Sequence, residues 1–324
     1  MRTKVPTVPI IVLFLSLTIF SSRPFSQSIS TGDGKIELGL GLGPSFFLGD
    51  LGGVRGIGKP FVKDVNFPFT KLMKGLFINY YPAEWIGLRV AANLGTLEAH
   101  DSVIKLKGGA ERYRKERNLG FKSNFTEVYA AIEFYPTVFF EKYDGLLGKL
   151  RPYGLIGFGV FRYNPKGLYI DPATGDSRWV ELKPLRLEGQ GIIPDRKEYS
   201  LTQQEVPIGF GAKYYIRENM YVGLEVLHRV TFTDYIDDVS TNYIDQNLFD
   251  TYLTPSQAVI AQQMHYRGNF LDPPNSRPFP TVGEQRGDPT ENDAFFSGIL
   301  RFGWRINGSS DRLSKRQMRC PVFY

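Results

Sequence analysis

The segment "IELGLGLGPSFFLGD" (residues 36–50) decides the fold. Its apolar residues alternate with Glu37 and with glycines, beginning at Ile36 and continuing to Leu48. Period-two alternation places the two sets on opposite faces of a β-strand. The small, polar face suits the inside of a narrow barrel with lipid outside. This segment alone also permits a β-sandwich that turns the apolar face inward.

The same alternation recurs in seven further segments, within 72–81, 86–95, 121–136, 152–163, 206–216, 222–229 and 296–305. The connections between them alternate in length. Long ones fall at 51–71, 98–120, 164–205 and 233–293, and shorter ones at 82–85, 137–151 and 217–219. This asymmetry is typical of outer-membrane barrels and has no reason in a soluble sandwich. We therefore predict an all-β fold: an eight-stranded antiparallel transmembrane β-barrel with short periplasmic turns and long extracellular loops.

Aromatic residues near the strand ends are expected to form a girdle at the membrane boundary. They are Tyr80, Tyr81, Trp85, Tyr135, Tyr153, Tyr214, Tyr215, Tyr221 and Trp304. The last loop combines helix formers after an early proline at 253–268 with a proline-rich segment at 271–280. We predict a short helix in the first and extended chain in the second.

The N-terminus has the pattern of a secretory signal peptide. Arg2 and Lys4 precede the apolar run 8–20, and Ser26 and Ser28 suit a cleavage site near residue 28. An uncleaved membrane anchor is the alternative, although the run is shorter than the roughly 20 residues that a span needs. The predicted organisation is signal peptide 1–28, barrel 29–306 and basic periplasmic tail 307–324.

Composition narrows the function classes. The single cysteine, Cys320, cannot form an internal disulfide. Loss of residues 1–28 removes Arg2, Lys4 and Arg23 and takes the formal charge from +6 to +3. That excess is too small to indicate nucleic acid as a partner. No cofactor and no small-molecule substrate is expected.

Charged residues on the inward faces of the strands nearly cancel. They are Arg89, Lys213, Arg229 and Arg301 against Glu37, Glu127, Glu133 and Glu225. Unpaired buried charge is costly, so we predict that these side chains pair in a lumen network. An eight-stranded barrel is too narrow for an open channel, and with a polar plug in the lumen transport is not expected. Function is then expected in the loops or the tail.

The segment "TFTDYIDDVSTNY" (231–243) places Asp234, Asp237 and Asp238 where the last loop begins. Clustered carboxylates could bind Ca²⁺, yet the spacing is not that of a calcium loop. Asp and Thr also cap and turn a chain that leaves a strand. We favour the second reading, a cap over the barrel mouth, with Arg301 or Arg286 as candidate partners.

Histidine is scarce, and His100, His228 and His265 have no His or Cys at ligand spacing. A lipid-facing His228 could serve as the base of a lipid A-modifying enzyme. Such chemistry needs a serine or acid beside it, which the strand does not offer. We therefore expect no catalytic residue and no metal site.

The tail 311–324 contains Arg312, Lys315, Arg316 and Arg319. Such a basic tail can dock on an acidic partner or on anionic lipid, or can serve solubility alone.

Six segments in order resemble the PorG-like outer-membrane barrel family of Bacteroidetes, a domain of formerly unknown function. They are "RNLGFKSNFTEVYAAIEFYP" (117–136), "RPYGLIGFGVFRYNP" (151–165), "PLRLEGQG" (184–191), "YSLTQQEVPIGFGAKYYI" (199–216), "HRVTFTDYIDDVSTNY" (228–243) and "GEQRGDPTENDAFF" (283–296). The resemblance implies an eight-stranded barrel. It also implies a link to the type IX secretion system, in which the best-known member contacts the periplasmic ring. It supplies no catalytic residues.

Together these features predict a non-enzymatic outer-membrane barrel that anchors or organises a type IX secretion or gliding complex. Its expected partners are outer-membrane lipid and periplasmic secretion-ring proteins. The alternatives are a lipid A-modifying barrel enzyme and a surface adhesin-like barrel.

Overall fold

The computed structural model describes residues 35–52, 69–104, 111–139, 149–217, 219–270 and 279–306. The predicted signal peptide, the basic tail and residues 271–278 of the proline-rich segment lie outside these ranges. The described residues form nine strands: β1 (Lys35–Leu48), β2 (Lys71–Ala83), β3 (Ile86–His100), β4 (Gly120–Phe134), β5 (Leu150–Ile170), β6 (Ser177–Glu181), β7 (Thr202–Arg217), β8 (Met220–Thr231) and β9 (Ala294–Arg305). The α-helices are α1 (Glu111–Arg117), α2 (Asn247–Tyr252) and α3 (Pro255–His265).

Eight of the nine strands close into an antiparallel barrel. Strand β1 pairs with β2 on one edge and β9 on the other, and β4 pairs with β5 to complete the ring. Strand β6 pairs only with β5 and stands outside the ring. Because every barrel strand has two partners, the wall has no open edge. The predicted eight-stranded antiparallel barrel is confirmed.

The outer wall is apolar. Side chains at the predicted outward positions are strongly exposed, among them Leu40 at 56%, Phe210 at 67% and Leu224 at 68%. Charged residues at the alternate positions are buried inside. An apolar exterior around a polar interior is the reverse of a soluble β-sandwich and is the arrangement of a transmembrane barrel. None of the helices in the described ranges has the length and apolar character needed to cross a membrane.

The two ends of the barrel differ as predicted. At one end Ala83 pairs with Ile86, and Arg217 pairs with Met220, so two of the turns are tight. The chain enters β1 and leaves β9 at this same end. The opposite, extracellular end has the long connections, whose described parts fold over the mouth. We call these parts (49–52, 101–104, 111–119, 171–201, 232–270 and 279–293) the loop cap.

Strand β5 is longer than its alternation predicted. The prediction ended near residue 163, but β5 continues to Ile170 and forms a hairpin with β6. Helix α3 supports the other edge of this extension. The Gln263 side chain donates to the Ile170 carbonyl and accepts from the Ile170 amide, both at 2.8 Å. Strand β6 pairs locally with β5, from Ile170↔Ser177 to Lys166↔Glu181, but its five residues are too few for a clear apolar alternation.

The helix predicted within 253–268 is α3. It begins with a capping box formed by Thr254 and Gln257, and it buries Ala258, Ala261 and Met264 against the loop cap. Helices α1 and α2 were not predicted, because helices of 7 and 6 residues are too short for a clear apolar period.

The aromatic girdle was predicted wrongly in part. Of the nine residues, Tyr80, Trp85, Tyr214 and Trp304 are exposed on the outer wall. The other five are buried in the lumen: Tyr81, Tyr135, Tyr153, Tyr215 and Tyr221. The physical reason is strand parity. Tyr135 follows Glu133 by two positions and Tyr215 follows Lys213 by two, so both share the inward face.

Candidate functional site

The lumen is filled from its periplasmic end upward by a stack of paired side chains that we call the lumen plug. In the lowest layer Glu37 accepts from Tyr81 at 2.6 Å and from Tyr215 at 3.0 Å. Lys213 lies 3.2 Å from the same carboxylate and 3.1 Å from Glu133. Tyrosine rings surround the Lys213 ammonium, with centroid distances between 4.8 and 5.5 Å for Tyr81, Tyr135, Tyr153 and Tyr221. This geometry stabilises a buried cation by both charge and cation–π attraction.

Glu225 organises the middle layer. Arg89 donates to its Oε2 at 2.6 Å, Arg301 donates to its Oε1, and the Tyr153 hydroxyl lies 2.5 Å from Oε2. Arg89 also pairs with Glu133 of the layer below. One carboxylate therefore compensates two guanidinium groups, and the layers are linked.

The upper charged layer contains Glu127, Arg229 and the buried Glu205, whose carboxylate oxygens have no hydrogen-bond partner among the described residues. Arg229 donates from Nε at 3.1 Å and from Nη2 at 2.7 Å to the two carboxylate oxygens of Glu127, and Asn93 donates to the same group. Such a bidentate pair fixes geometry as well as charge. All eight side chains of the predicted network are thus inside the barrel and paired.

An aromatic layer closes the lumen above the charges. It consists of Phe47, Phe121, Phe125, Phe161 and Phe295, all buried. Phe295 touches both Phe125 and Phe161, with centroids 5.1 and 5.6 Å apart. Charged layers below and packed rings above thus occupy the described lumen.

The loop cap is held together by buried carboxylates that accept backbone hydrogen bonds. Glu188 accepts from the amides of Ser240 and Thr241, both at 3.0 Å, and from Arg286 at 2.7 Å. Arg286 also donates to the Asp238 carbonyl at 2.7 Å. Three of the segments that carry the family resemblance, 184–191, 228–243 and 283–296, meet at these contacts.

A second carboxylate, Asp101, joins the first two loops. It accepts from the amides of Gly52 and Leu119, each at 3.1 Å, and from Arg117 at 2.8 Å. Arg117 in turn donates to the carbonyls of Asp50 and Arg286. Every described extracellular loop is therefore tied to at least one other.

The rim acidic cluster (Asp234, Asp237 and Asp238) is part of the loop cap. Asp237 accepts from Leu51 at 3.0 Å and from Val239 at 2.9 Å, and Asp238 accepts from the Tyr199 hydroxyl at 2.6 Å. Asp234 lies beside them, 8% exposed. Of the two predicted partners, Arg286 lies at the cluster, whereas Arg301 is bound to Glu225 in the lumen. The cluster thus connects loops.

Burial raises the pKa of several cap carboxyls. It raises the pKa of Asp238 to about 7, with the Glu188 charge adding to the effect and Arg286 opposing it. Burial and neighbouring carboxylates also raise the pKa values of Asp234, Asp237 and Asp293. Within the described residues, no three His, Cys, Asp or Glu side chains converge in the way a metal site requires.

The histidines are placed apart from one another. His228 is half-buried on the outer wall, with Ile208 and Phe296 as its register neighbours. His265 is buried in the cap against Tyr243 and Phe249, with centroid distances of 5.0 and 5.2 Å. His100 ends β3 at the rim, 3.6 Å from Glu98. The structure does not bring them together.

Sequence reasoning missed several members of the site. Arg305 donates to Glu37 at 3.1 Å, and its parity with Arg301 could have identified it. The lumen tyrosines could have been found in the same way. Glu188 and Asp101 could not have been found in this way. They accept hydrogen bonds from backbone amides, which every residue type except proline has, so the sequence shows no sign of the pairing.

The closed ring, the apolar exterior and the filled interior define the class: an eight-stranded transmembrane β-barrel of the outer-membrane type with a plugged lumen. Comparison of the sequence with family models and with curated proteins finds no match. Solved structures similar to this chain include the attachment invasion locus protein Ail of Yersinia pestis (10% identity, 85% of this chain and 99% of that chain covered, TM-score 0.35). OprG of Pseudomonas aeruginosa (11%, 86% and 99%, TM-score 0.35) and the outer membrane protease OmpT of Escherichia coli (12%, 86% and 100%, TM-score 0.33) are also similar. At these identities and scores the fold assignment depends on the strand pairings themselves.

Proposed function

We propose that this chain is a non-enzymatic outer-membrane anchor that organises a type IX secretion or gliding complex by contacting periplasmic ring subunits. The observation that carries the proposal is the lumen plug, because a barrel filled with paired charges and packed rings cannot serve as a conduit. Such a barrel can still bind partners at its ends or on its outer wall, and the ring contact needs the periplasmic end. The resemblance of segments 117–136 and 283–296 to PorG-like barrels supports the periplasmic ring as the partner.

An exposed aromatic cluster marks the periplasmic end. Trp85, Phe134 and Phe139 lie with ring centroids 6.1 to 6.4 Å apart. Phe139 belongs to a 3-10 turn just beyond the end of β4 and is 60% exposed. Aromatic residues are enriched at the centres of protein interfaces. We assign this cluster, together with the tail 307–324, to the contact with the ring.

Affinity purification of the tagged full-length chain from crosslinked cell envelopes tests the proposal. The native chain is expected to co-purify ring subunits. Deletion of residues 307–324, or the double substitution Trp85→Ala/Phe139→Ala, should lower the recovered ring subunits at least tenfold, since interface aromatics contribute about 2 kcal/mol each.

Tyr214→Ala/Trp304→Ala is the matched control, because these exposed aromatics lie at the same end of the barrel outside the cluster. This variant should recover ring subunits as the native chain does. Absence of ring subunits from every sample, the native chain included, would refute the anchor function.

A further inference from the structure

In the part of the chain that the structure describes, three outward cations cluster above the apolar belt on neighbouring strands β4 and β5. Lys122 pairs in register with Lys166, and Arg162 pairs with Thr126 four positions lower along β5. All three cations occupy even positions, the parity of the outward apolar side chains on these strands. We call Lys122, Arg162, Lys166 and the nearby Trp179 the cationic face.

The same wall becomes apolar directly below. Val128, Phe158 and Val160 are 47%, 53% and 46% exposed, and Arg162 follows Val160 by one outward position. A molecule that contacts both regions must combine an apolar body with an anionic head. That description fits a lipid.

Trp179 of β6 lies at the top of this face. It is 39% exposed, and the Lys122 ammonium is 5.5 Å from its ring centroid. Tryptophan is enriched where a barrel meets the lipid headgroups. The β5–β6 hairpin therefore extends the wall into the headgroup region of the outer leaflet.

Neutralisation of the cationic face is incomplete. Glu181 lies 3.7 Å from Lys166, in a pair whose side chains are 41% and 52% exposed. Exposed pairs of this kind are weak, and Glu98, the register partner of Lys122 on β3, pairs with Lys71 at 3.1 Å, so the face keeps a net positive charge.

On the opposite wall, at the described tops of β8, β9 and β1, the outward residues are apolar, as Val230, Phe296 and Leu48 show. The cationic face thus has no counterpart on the described residues of β8, β9 and β1. The outward Lys74 of β2 is a single separate cation at the level of Arg162.

We propose that the cationic face binds the phosphorylated headgroup of an outer-leaflet glycolipid, whose acyl chains lie on the apolar wall below. Arg162 and Lys166 are separated by four residues, about 13 Å along an extended strand. The polar pair Asn124 and Asn164 lies between those levels. A phosphodiester head is too small to span this distance, whereas a sugar head with phosphate substituents contacts cations and amides together.

The test uses the full chain, folded in detergent micelles, with purified lipopolysaccharide as the probe and native mass spectrometry as the readout. The native chain should retain lipopolysaccharide. Arg162→Gln/Lys166→Gln should bind about 30-fold more weakly, since each cation near an anionic lipid surface contributes about fivefold. Lys74→Gln/Arg217→Gln removes the same charge from the outer wall of β2 and the periplasmic end of β7, and it should bind normally.

Heat-modifiability on gels shows that each variant is folded, and phosphatidylglycerol is the comparison ligand. Equal loss of binding in both double variants would show that binding depends on the total charge of the protein and not on the cationic face, and would overturn the proposal. So would unchanged binding in Arg162→Gln/Lys166→Gln, or equal affinity of the native chain for phosphatidylglycerol. These outcomes do not depend on whether ring subunits bind at the periplasmic end.

Discussion

Replacement of Glu225 by alanine is expected to destabilise the barrel by at least about 3 kcal/mol. The side chain is fully buried and receives hydrogen bonds from Arg89, Arg301 and Tyr153. Its removal leaves two buried guanidinium groups without that compensating charge, and an uncompensated buried charge costs more than the intact pair contributed. The shift of the unfolding midpoint in urea, followed by heat-modifiability on gels, measures the effect.

Glu198→Ala is the control. Glu198 forms an exposed pair with Arg186 in the loop cap, so its loss should cost less than about 1 kcal/mol. Arg301→Met combined with Glu225→Ala should be less destabilising than the sum of the single changes, since the two side chains are partners. An unfolding midpoint of Glu225→Ala equal to that of the native chain would contradict the paired lumen.

Raising the pH from 5 to 8 is expected to loosen the loop cap. The pKa of Asp238 is about 7 in the closed cap, against an ordinary value of 3.8, chiefly because of burial. The closed cap therefore binds this proton more tightly than the open cap. The stabilisation is complete below about pH 4 and is lost as the pH rises through 7. A difference of about three pKa units corresponds to roughly 4 kcal/mol as an upper value.

Hydrogen-exchange protection factors at the two pH values measure this loosening, because they correct for the intrinsic exchange rate. The amides of Leu51 and Ser240 are suitable reporters, since both are hydrogen-bonded across loops. Protection at pH 8 should be lower by on the order of 100-fold.

Asp238→Asn is the matched control for this effect. Asp238 has φ 66°, a left-handed conformation that asparagine also tolerates. The variant should lose the part of the pH dependence that falls between 4 and 7. Equal or higher protection of the native cap at pH 8 would contradict the account.

Much of the barrel could be predicted from the sequence because strand parity is a strong local signal. The alternation from Ile36 to Leu48 assigned one face to lipid and the other to the lumen, and the inward acids and bases followed from the same parity. The tyrosine pairs at 80–81 and 214–215 show that residue type can mislead where strand parity does not. Tyr80 and Tyr214 face outward while Tyr81 and Tyr215 face inward, although residue type alone places all four at the membrane boundary.

The loop cap could not be predicted in the same way. Glu188 binds amides some 50 positions away, and Asp101 joins loops whose sequences show no period. The β5–β6 hairpin depends on Gln263 of helix α3, a contact across 93 positions. These arrangements depend on how loops pack over a closed mouth, which local propensity does not encode.

Segment 231–243 shows how the structure decides between two functional readings of the sequence. Its aspartates first suggested either a cation site or a turn. In the structure Asp237 and Asp238 accept hydrogen bonds from two other loops, while the charged residues of the strands fill the lumen. The barrel is thereby closed along its length, and its surfaces for binding are its two ends and its outer wall.

Conductance across planar lipid bilayers tests the closed lumen most directly. The full chain, shown to be inserted and folded by heat-modifiability, is predicted to give no stepwise conductance above the bare membrane at neutral pH. Reproducible ohmic steps from the native chain would show a continuous water path and would contradict both the lumen plug and the anchor function derived from it.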